Sequence, residues 1–353
     1  MRDLLHDYDQ LHASGRPVGR AVVTSVWGSA PRAEGACMLA TSDGEIAGSV
    51  SGGCIESAAA QEIAAAIASG APKLLTYGVS HERAWEVGLA CGGTIKVFVE
   101  PAISAEVLDA ARSEGGVVVA TVIETNSATS RLGGTALVRE GGAIEASKGQ
   151  EWIGKAVAEA ARAALRKEAS TTVEVTTSNG DLATVFLEVF PRRPRLVIFG
   201  GVHIAMALVP LAKVLGYRTV VADGRQAFLT RVRFPEADEL LLAWPEDAFA
   251  KAGIDSATFV CVLSHDPKFD EPALEIALRS PARYIGAIGS RKTQTSRRER
   301  LRSQGFSDAD LARLRGPIGL DLGGRSPAET ALAILAEMTM ARYGGTGRSL
   351  TPR

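Results

Sequence analysis

Apolar and polar positions alternate in two different styles along this chain. Over residues 1–190 the pattern is short strands broken by isolated helices. Residues 1–14 read as a short helix stopped near Gly15, and residues 21–26 and 35–40 read as strands. Ser42-Asp-Gly-Glu45 supplies a turn into a strand at 46–50. Ser51-Gly-Gly-Cys-Ile-Glu56 opens an alanine-rich helix that runs to about Ser69, where Gly70 is the stop signal. Strands follow at 74–77 and 94–100, with 88–93 as the loop before the second. Residues 105–113 predict a helix, 117–123 and 135–138 strands, and 152–167 an amphipathic helix. Residues 172–177 and 183–189 read as a hairpin around Asn179-Gly180. The pattern predicts one α+β domain over residues 1–190.

After the polar break Pro191-Arg-Arg-Pro194, strands and helices alternate. Strands are expected at 196–199, 219–222, 239–243, 258–263 and 284–288, and helices at 203–215, 271–279, 292–304 and 327–342. Such β-α-β alternation implies a parallel sheet covered on both faces. The fold class is therefore α/β: an N-terminal α+β domain (1–190) followed by a Rossmann-like, doubly wound parallel-sheet domain (195–344). No tandem repeat is visible, and residues 344–353 read as a loose end.

Bulk properties narrow the function classes. The 353 residues suit two domains, and 46% hydrophobic with 22% charged residues is ordinary for a globular protein with a real core. A formal net charge of -1 favours neither nucleic acid nor an anionic membrane, and 5% aromatics weakens single-strand stacking. The first nine residues carry three acids and no apolar run, and no segment has 18 consecutive apolar residues, so neither a secretory signal nor a membrane span is expected. The expected compartment is the cytoplasm.

The clearest single element is Arg195-Leu-Val-Ile-Phe-Gly200-Gly201-Val202-His203, a strand, a glycine turn and a helix start. A second strand ends at Asp223, at the spacing of an acid that reaches a ribose hydroxyl. Backbone N–H groups at Gly201–His203 would face a phosphate at the helix N-terminus. Val202, however, stands where the fingerprint wants its second glycine and would crowd a pyrophosphate. Two readings stay open: an NAD(P)-type nucleotide site, or a Rossmann frame without tight dinucleotide binding. Other polar loops fall at strand C-termini, where such folds place ligands. His265 and Asp266 are candidate acid/base or metal groups, Arg291 and Lys292 candidate phosphate holders, and Gly319–Arg325 a third loop. For each alone, helix capping and loop hydrogen bonding is an equal reading, but three polar loops on one edge together favour a real site.

None of the four cysteines forms a C-x-x-C pair. Cys37 and Cys261 sit inside apolar strands and read as core. Cys54 follows Gly52-Gly53 where a loop enters a helix, and Cys91 precedes Gly92-Gly93. Glycines let a bulky ligand approach the backbone, and backbone donors with the helix dipole would stabilise a thiolate and bind anions. A thiolate is a soft ligand for a transition metal or a sulfur acceptor, so Cys54 and Cys91 are the candidate metal-binding pair. The plainer reading of each is a small buried residue at a turn. A zinc site is disfavoured, since no His or Cys lies at the usual ligand spacing.

These motifs carry a resemblance. Ser51-Gly-Gly-Cys-Ile-Glu56, Ala90-Cys-Gly-Gly93, Val197-Ile-Phe-Gly200…His203-Ile-Ala205, Ser264-His-Asp266, Tyr284-Ile-Gly-Ala-Ile-Gly-Ser-Arg291-Lys292 and Pro317-Ile-Gly-Leu-Asp-Leu-Gly-Gly-Arg-Ser-Pro-Ala-Glu329 resemble the xanthine dehydrogenase accessory proteins of the XdhC/CoxI family, in order over nearly the whole chain. The resemblance implies binding of the molybdenum cofactor (molybdopterin), support of its sulfuration with a cysteine desulfurase, and insertion into a molybdenum hydroxylase. It implies a chaperone rather than an enzyme, with Cys54 and Cys91 beside the cofactor. Ser51, Gly52, Gly53, Gly92, Gly93, Gly200, Gly201, His203, Asp223, His265, Asp266 and Arg291 complete the expected cofactor-binding set. The family's turn is Gly-x-Gly-His, where this chain has Gly200-Gly201-Val202-His203. An NAD(P)-dependent oxidoreductase is the rival reading, and a homodimer the base-rate expectation for assembly.

Overall fold

The computed structural model describes residues 1–78, 93–126, 131–147, 150–177 and 180–351. The chain divides into two compact units, Met1–Arg192 and Arg193–Arg353.

The first unit runs α1 (Leu5–Ala13), β1 (Val18–Trp27), β2 (Cys37–Thr41), β3 (Ile46–Gly48), α2 (Glu56–Ser69), β4 (Lys73–Tyr77), β5 (Thr94–Glu100), α3 (Ala105–Arg112), β6 (Val117–Thr125), β7 (Thr135–Arg139), β8 (Ile144–Ala146), α4 (Glu151–Lys167), β9 (Thr171–Thr176) and β10 (Leu182–Phe190). The strands form two five-stranded antiparallel sheets, ordered β3-β2-β1-β5-β4 and β8-β7-β6-β10-β9. The period of two decides what packs where. In β1, Val18 and Val22 face the other sheet, while Ala21 and Val23 face α2. Val22, Leu39 and Phe98 of one sheet meet Val119, Leu137 and Phe186 of the other in a shared core. Helix α4 covers the outer face of the second sheet as α2 covers that of the first. The layers are therefore helix, sheet, sheet, helix. Each phenylalanine buried between the sheets stabilises by about 2–3 kcal/mol.

The two sheets are one motif used twice, although the residues show no repeat. Each has the strand order third-second-first-fifth-fourth, with a helix between its third and fourth strands. Each first strand carries a bulge, at Thr24 and at Ile123. Before each bulge the same bonds recur: Gly35 N–H to Val23 O at 2.9 Å, and Gly133 N–H to Val122 O at 2.8 Å. Ser49 N–H donates to Cys37 O as Ser147 N–H donates to Thr135 O. The duplication lives in register and hydrogen bonding, so divergent side chains hide it. One side chain breaks it. Arg20 stands where the second motif has Val119, and bonds Glu100 Oε2 at 2.7 Å and Glu188 Oε2 at 2.9 Å in the buried layer.

The second unit runs β11 (Arg195–Phe199), α5 (His203–Val214), β12 (Arg218–Asp223), β13 (Glu239–Leu242), α6 (Pro245–Ala252), β14 (Thr258–Val262), α7 (Pro267–Arg279), β15 (Tyr284–Ala287), α8 (Arg291–Ser303), α9 (Asp308–Ala312), β16 (Leu314–Arg315) and α10 (Pro327–Tyr343). Its six strands are parallel, in the order β13-β12-β11-β14-β15-β16, which is the dinucleotide-fold order. Val197 and Phe199 pack with α6 and α7 on one face, and Leu196 and Ile198 with α5 and α10 on the other. The expected fold class is what the structure shows.

Four elements escaped the sequence pattern: β8, α6, α9 and β16. Strands of three and two residues are too short to show a period. Helix α7 begins at Pro267 rather than 271, because the Asp266 side chain caps it and Pro267 occupies its first turn.

Candidate functional site

Ser51, Gly52, Gly53 and Cys54 form one loop between β3 and α2. Gly52 and Gly53 have φ of 81° and 121°, backbone that L side chains rarely adopt. One carboxylate organises the loop. Glu56, the first residue of α2, turns back over it and accepts from Val50 N–H (3.2 Å), Ser51 N–H (2.8 Å), Gly52 N–H (3.1 Å), Gly53 N–H (2.8 Å) and Ile55 N–H (3.2 Å). The Ser49 and Ser51 hydroxyls donate to it at 2.6 and 2.7 Å. Cys54 N–H goes to Ser51 Oγ at 3.0 Å. Burial alone would push the Glu56 pKa up, but the hydroxyl and N–H donors outweigh it and hold the carboxyl at about 2.

This corrects the electrostatic expectation for the loop. The backbone donors at this helix start do not face outward toward a thiolate or a bound anion. They are used by Glu56. The Cys54 thiol itself is exposed. Glu56 belongs to the Ser-Gly-Gly-Cys-Ile-Glu motif, yet its position three residues beyond Gly53 reads equally well as an ordinary acid in a helix first turn.

Gly52 and Gly93 approach a common segment. The Ser29 carbonyl lies so close to Gly93 that a Cβ there has no room, and Pro31 packs on Gly52. Residues 29–31, between β1 and β2, thus touch both. Cys91 and Gly92 lie outside the described residues. Cys37 and Cys261 are buried, and burial pushes both thiols up. Among the described residues, no group of three or more His, Cys, Asp or Glu side chains converges at metal-ligand distance.

The C-terminal turn is filled from within. Asp223 is completely buried; it accepts Gly201 N–H at 2.8 Å and holds the Arg225 guanidinium at 2.9 Å. Burial would raise its pKa, but Arg225 and the two N–H donors win and keep it below the usual aspartate range. The Phe228 carbonyl sits where a Cβ on Gly201 would be, and Arg233 donates to Gly201 O at 2.8 Å. Gly200, with φ of 114°, is pressed against the backbone of Leu263 and Ser264. Both glycines are therefore explained by close approach of the chain's own backbone, and Asp223 holds this turn rather than facing outward.

His203 and Arg291 are exposed first residues of α5 and α8, and Asp266 caps α7 by accepting Lys268 N–H at 3.1 Å. His265 is exposed with φ of 60°, which is strained for a residue other than glycine. No hydrogen bond or ion pair joins these four among the described residues. A network that the sequence did not reveal lies beneath them. Ser264 Oγ donates to Asp270 at 2.5 Å, Arg297 donates to Asp270 at 2.9 Å, and Gln294 links Arg297 to Ala287 O. It fixes the loops after β14 and β15 relative to each other.

Comparison with known proteins now places the chain. Residues 196–338 match the model of the XdhC Rossmann domain, and residues 11–78 match that of the XdhC and CoxI family. The chain belongs to the XdhC and CoxI family. Relatives include the molybdenum cofactor insertion chaperone PaoD of Escherichia coli, 27% identical, covering 93% of this chain and 85% of that one. A probable xanthine dehydrogenase subunit of Bacillus subtilis is 28% identical over 91% and 92% of the two chains. An uncharacterised Escherichia coli protein, YqeB, is 28% identical over 65% of this chain, which spans only 44% of YqeB's length. The crystal structure of a xanthine dehydrogenase from Bacillus halodurans superposes with a TM-score of 0.73 at 25% identity, over 98% and 97% of the chains.

Proposed function

We propose that this chain is an accessory protein that holds the molybdenum cofactor as cargo and delivers it to a molybdenum hydroxylase. The observation that carries this reading is the exposed Cys54 thiol on a loop held rigid by Glu56. The cofactor-insertion role for which PaoD is named supports it, as does family membership across both units. A cysteine sulfur is a fitting soft donor for molybdenum or for sulfur being transferred. The cargo's phosphate does not fit this loop, because the loop N–H groups are taken. Within the proposal, Cys91 is the second sulfur ligand, a cysteine desulfurase supplies the sulfur, and the protein works in the cytoplasm as a homodimer. Among the described residues no helix is long and apolar enough to cross a membrane.

Purified protein mixed with isolated cofactor tests the reading. The wild-type chain retains pterin and molybdenum through gel filtration, and Cys54→Ala and Cys91→Ala lose most of it. Equal retention by all three sinks the cysteine assignment. The Rossmann frame favours the oxidoreductase alternative, but Val202, the engaged Asp223 and the covered Gly201 count against tight dinucleotide binding at this turn. No binding of NAD or NADP at millimolar concentration removes that alternative.

A further inference from the structure

We propose that Glu56 is the specificity-determining residue of the cysteine loop. Its carboxylate is a built-in occupant of an anion nest, and it reserves the loop for a ligand engaged through the Cys54 sulfur while excluding phosphate and other oxyanions. The proposal deepens the cofactor reading and rests on it only for the identity of the cargo.

The argument is an accounting of donors. A run of backbone N–H groups ahead of a helix, with two glycines at positive φ, is the usual construction for binding an anion. Here every N–H from Val50 to Ile55 already has a partner within the loop. Five donate to Glu56, and Cys54 donates to Ser51 Oγ. The Ser51 hydroxyl in turn donates to Glu56, so the whole donor set drains into one carboxylate. An incoming phosphate would have to displace a carboxylate tethered three residues away and would meet its negative charge while doing so. A thiophilic centre approaching Cys54 meets neither obstacle, because the thiol is exposed and takes no part in the nest.

The other turn supports the same design independently. Asp223 receives Gly201 N–H in the second unit, so there too a carboxylate of the chain takes a donor of the glycine turn. Both units therefore give a glycine-turn N–H to a carboxylate of the chain: five loop N–H groups go to Glu56, and that of Gly201 goes to Asp223.

The test needs no cofactor. Cys54 in the full chain is alkylated with iodoacetamide, a neutral reagent, and the Cys54 peptide is followed by mass spectrometry over a millimolar titration of inorganic phosphate or sulfate. Wild type shows no protection by either ion. Glu56→Ala opens the nest, and phosphate then slows alkylation by about tenfold, as an occupied site beside the thiol requires. Glu56→Gln removes the charge with little change of shape and gives weaker protection; it decides the matter if the alanine variant fails to fold. Protection of wild type equal to that of the variants overturns the proposal, as does a folded Glu56→Ala or Glu56→Gln whose Cys54 ignores both ions. Failure of cofactor binding leaves this outcome untouched, so the two readings fall separately.

Discussion

The loop at Gly52-Gly53 and the turn at Gly200-Gly201 do the same local job and end differently. Each carries the chain from a strand into a helix, and in each a carboxylate of the protein receives glycine N–H, several at Glu56 and that of Gly201 at Asp223. Glu56 lies a few residues downstream and is local. Asp223 arrives from the next strand and bolts β12 to the turn with Arg225. The first loop leaves a thiol in solvent, whereas the second is covered by the Phe228 carbonyl. A glycine pair therefore says that something approaches the backbone closely, not that the visitor is a ligand.

The largest effect is expected from breaking the non-local version. Asp223→Ala leaves Gly201 N–H buried without an acceptor and releases Arg225. Removing one partner of a buried ion pair costs about 3–5 kcal/mol, and the lower end applies here because Arg225 is partly exposed. Chemical unfolding read on the second unit checks the loss. Amide exchange at residues 200–203 should accelerate with it, and unchanged exchange there would show that Asp223 does not hold the turn.

Much of this was legible in the residues. The alternation of strands and helices after Pro194 and the strand ending at Gly200 were enough for a Rossmann-like fold class, because most of those strands are buried apolar runs. The duplicated sheet was not legible. Its evidence is a pair of bulges and matching backbone bonds, while Arg20 and Val119 at equivalent positions share no chemistry. At the site, Cys54 stood out through its glycines. Glu56 and Asp223 also stood in plain view, but their role depends on where a carboxylate turns in three dimensions. An acid in a helix first turn and an acid after a strand each have a common alternative use, so the residues alone favoured an external anion.

Alanine at the glycines sharpens the comparison at the next magnitude. Gly201→Ala drives a Cβ into the Phe228 carbonyl and should cost about 2–3 kcal/mol, as overpacking at backbone does. Gly53→Ala has open space around it but keeps φ of 121°, so strain alone should cost about 1–2 kcal/mol. Equal losses in paired melts would mean that the two turns are filled alike.

Acid separates the contributions further. The Asp223 pKa is lower in the folded chain than in the unfolded one, so its stabilisation is fully present above the ordinary value of 3.8. It is lost as pH falls below that value, through the depressed folded pKa, since protonation then favours the unfolded chain. Stability of wild type should fall in that window with a slope of at most about 1.4 kcal/mol per pH unit from this group. Asp223→Asn should lack this component, and identical acid slopes for the two proteins would count against the assignment.

The smallest stability effect belongs to the residue on which the functional reading depends most. Cys54→Ser alters an exposed side chain whose N–H, not its sulfur, is tied into the loop, so the melt should move by less than about 0.5 kcal/mol. Cofactor retention should nevertheless drop sharply, because a hydroxyl is a poor soft donor. That split is what a ligand-presenting residue predicts and a packing residue does not. A substantial stability loss would make Cys54 part of the loop's framework, and a drop in retention in the same variant would then follow from a damaged loop rather than a missing sulfur. Running Cys91→Ser beside it asks whether one thiol or two carry the cargo, since a pair that ligates jointly should lose nearly as much retention from either single change as from both.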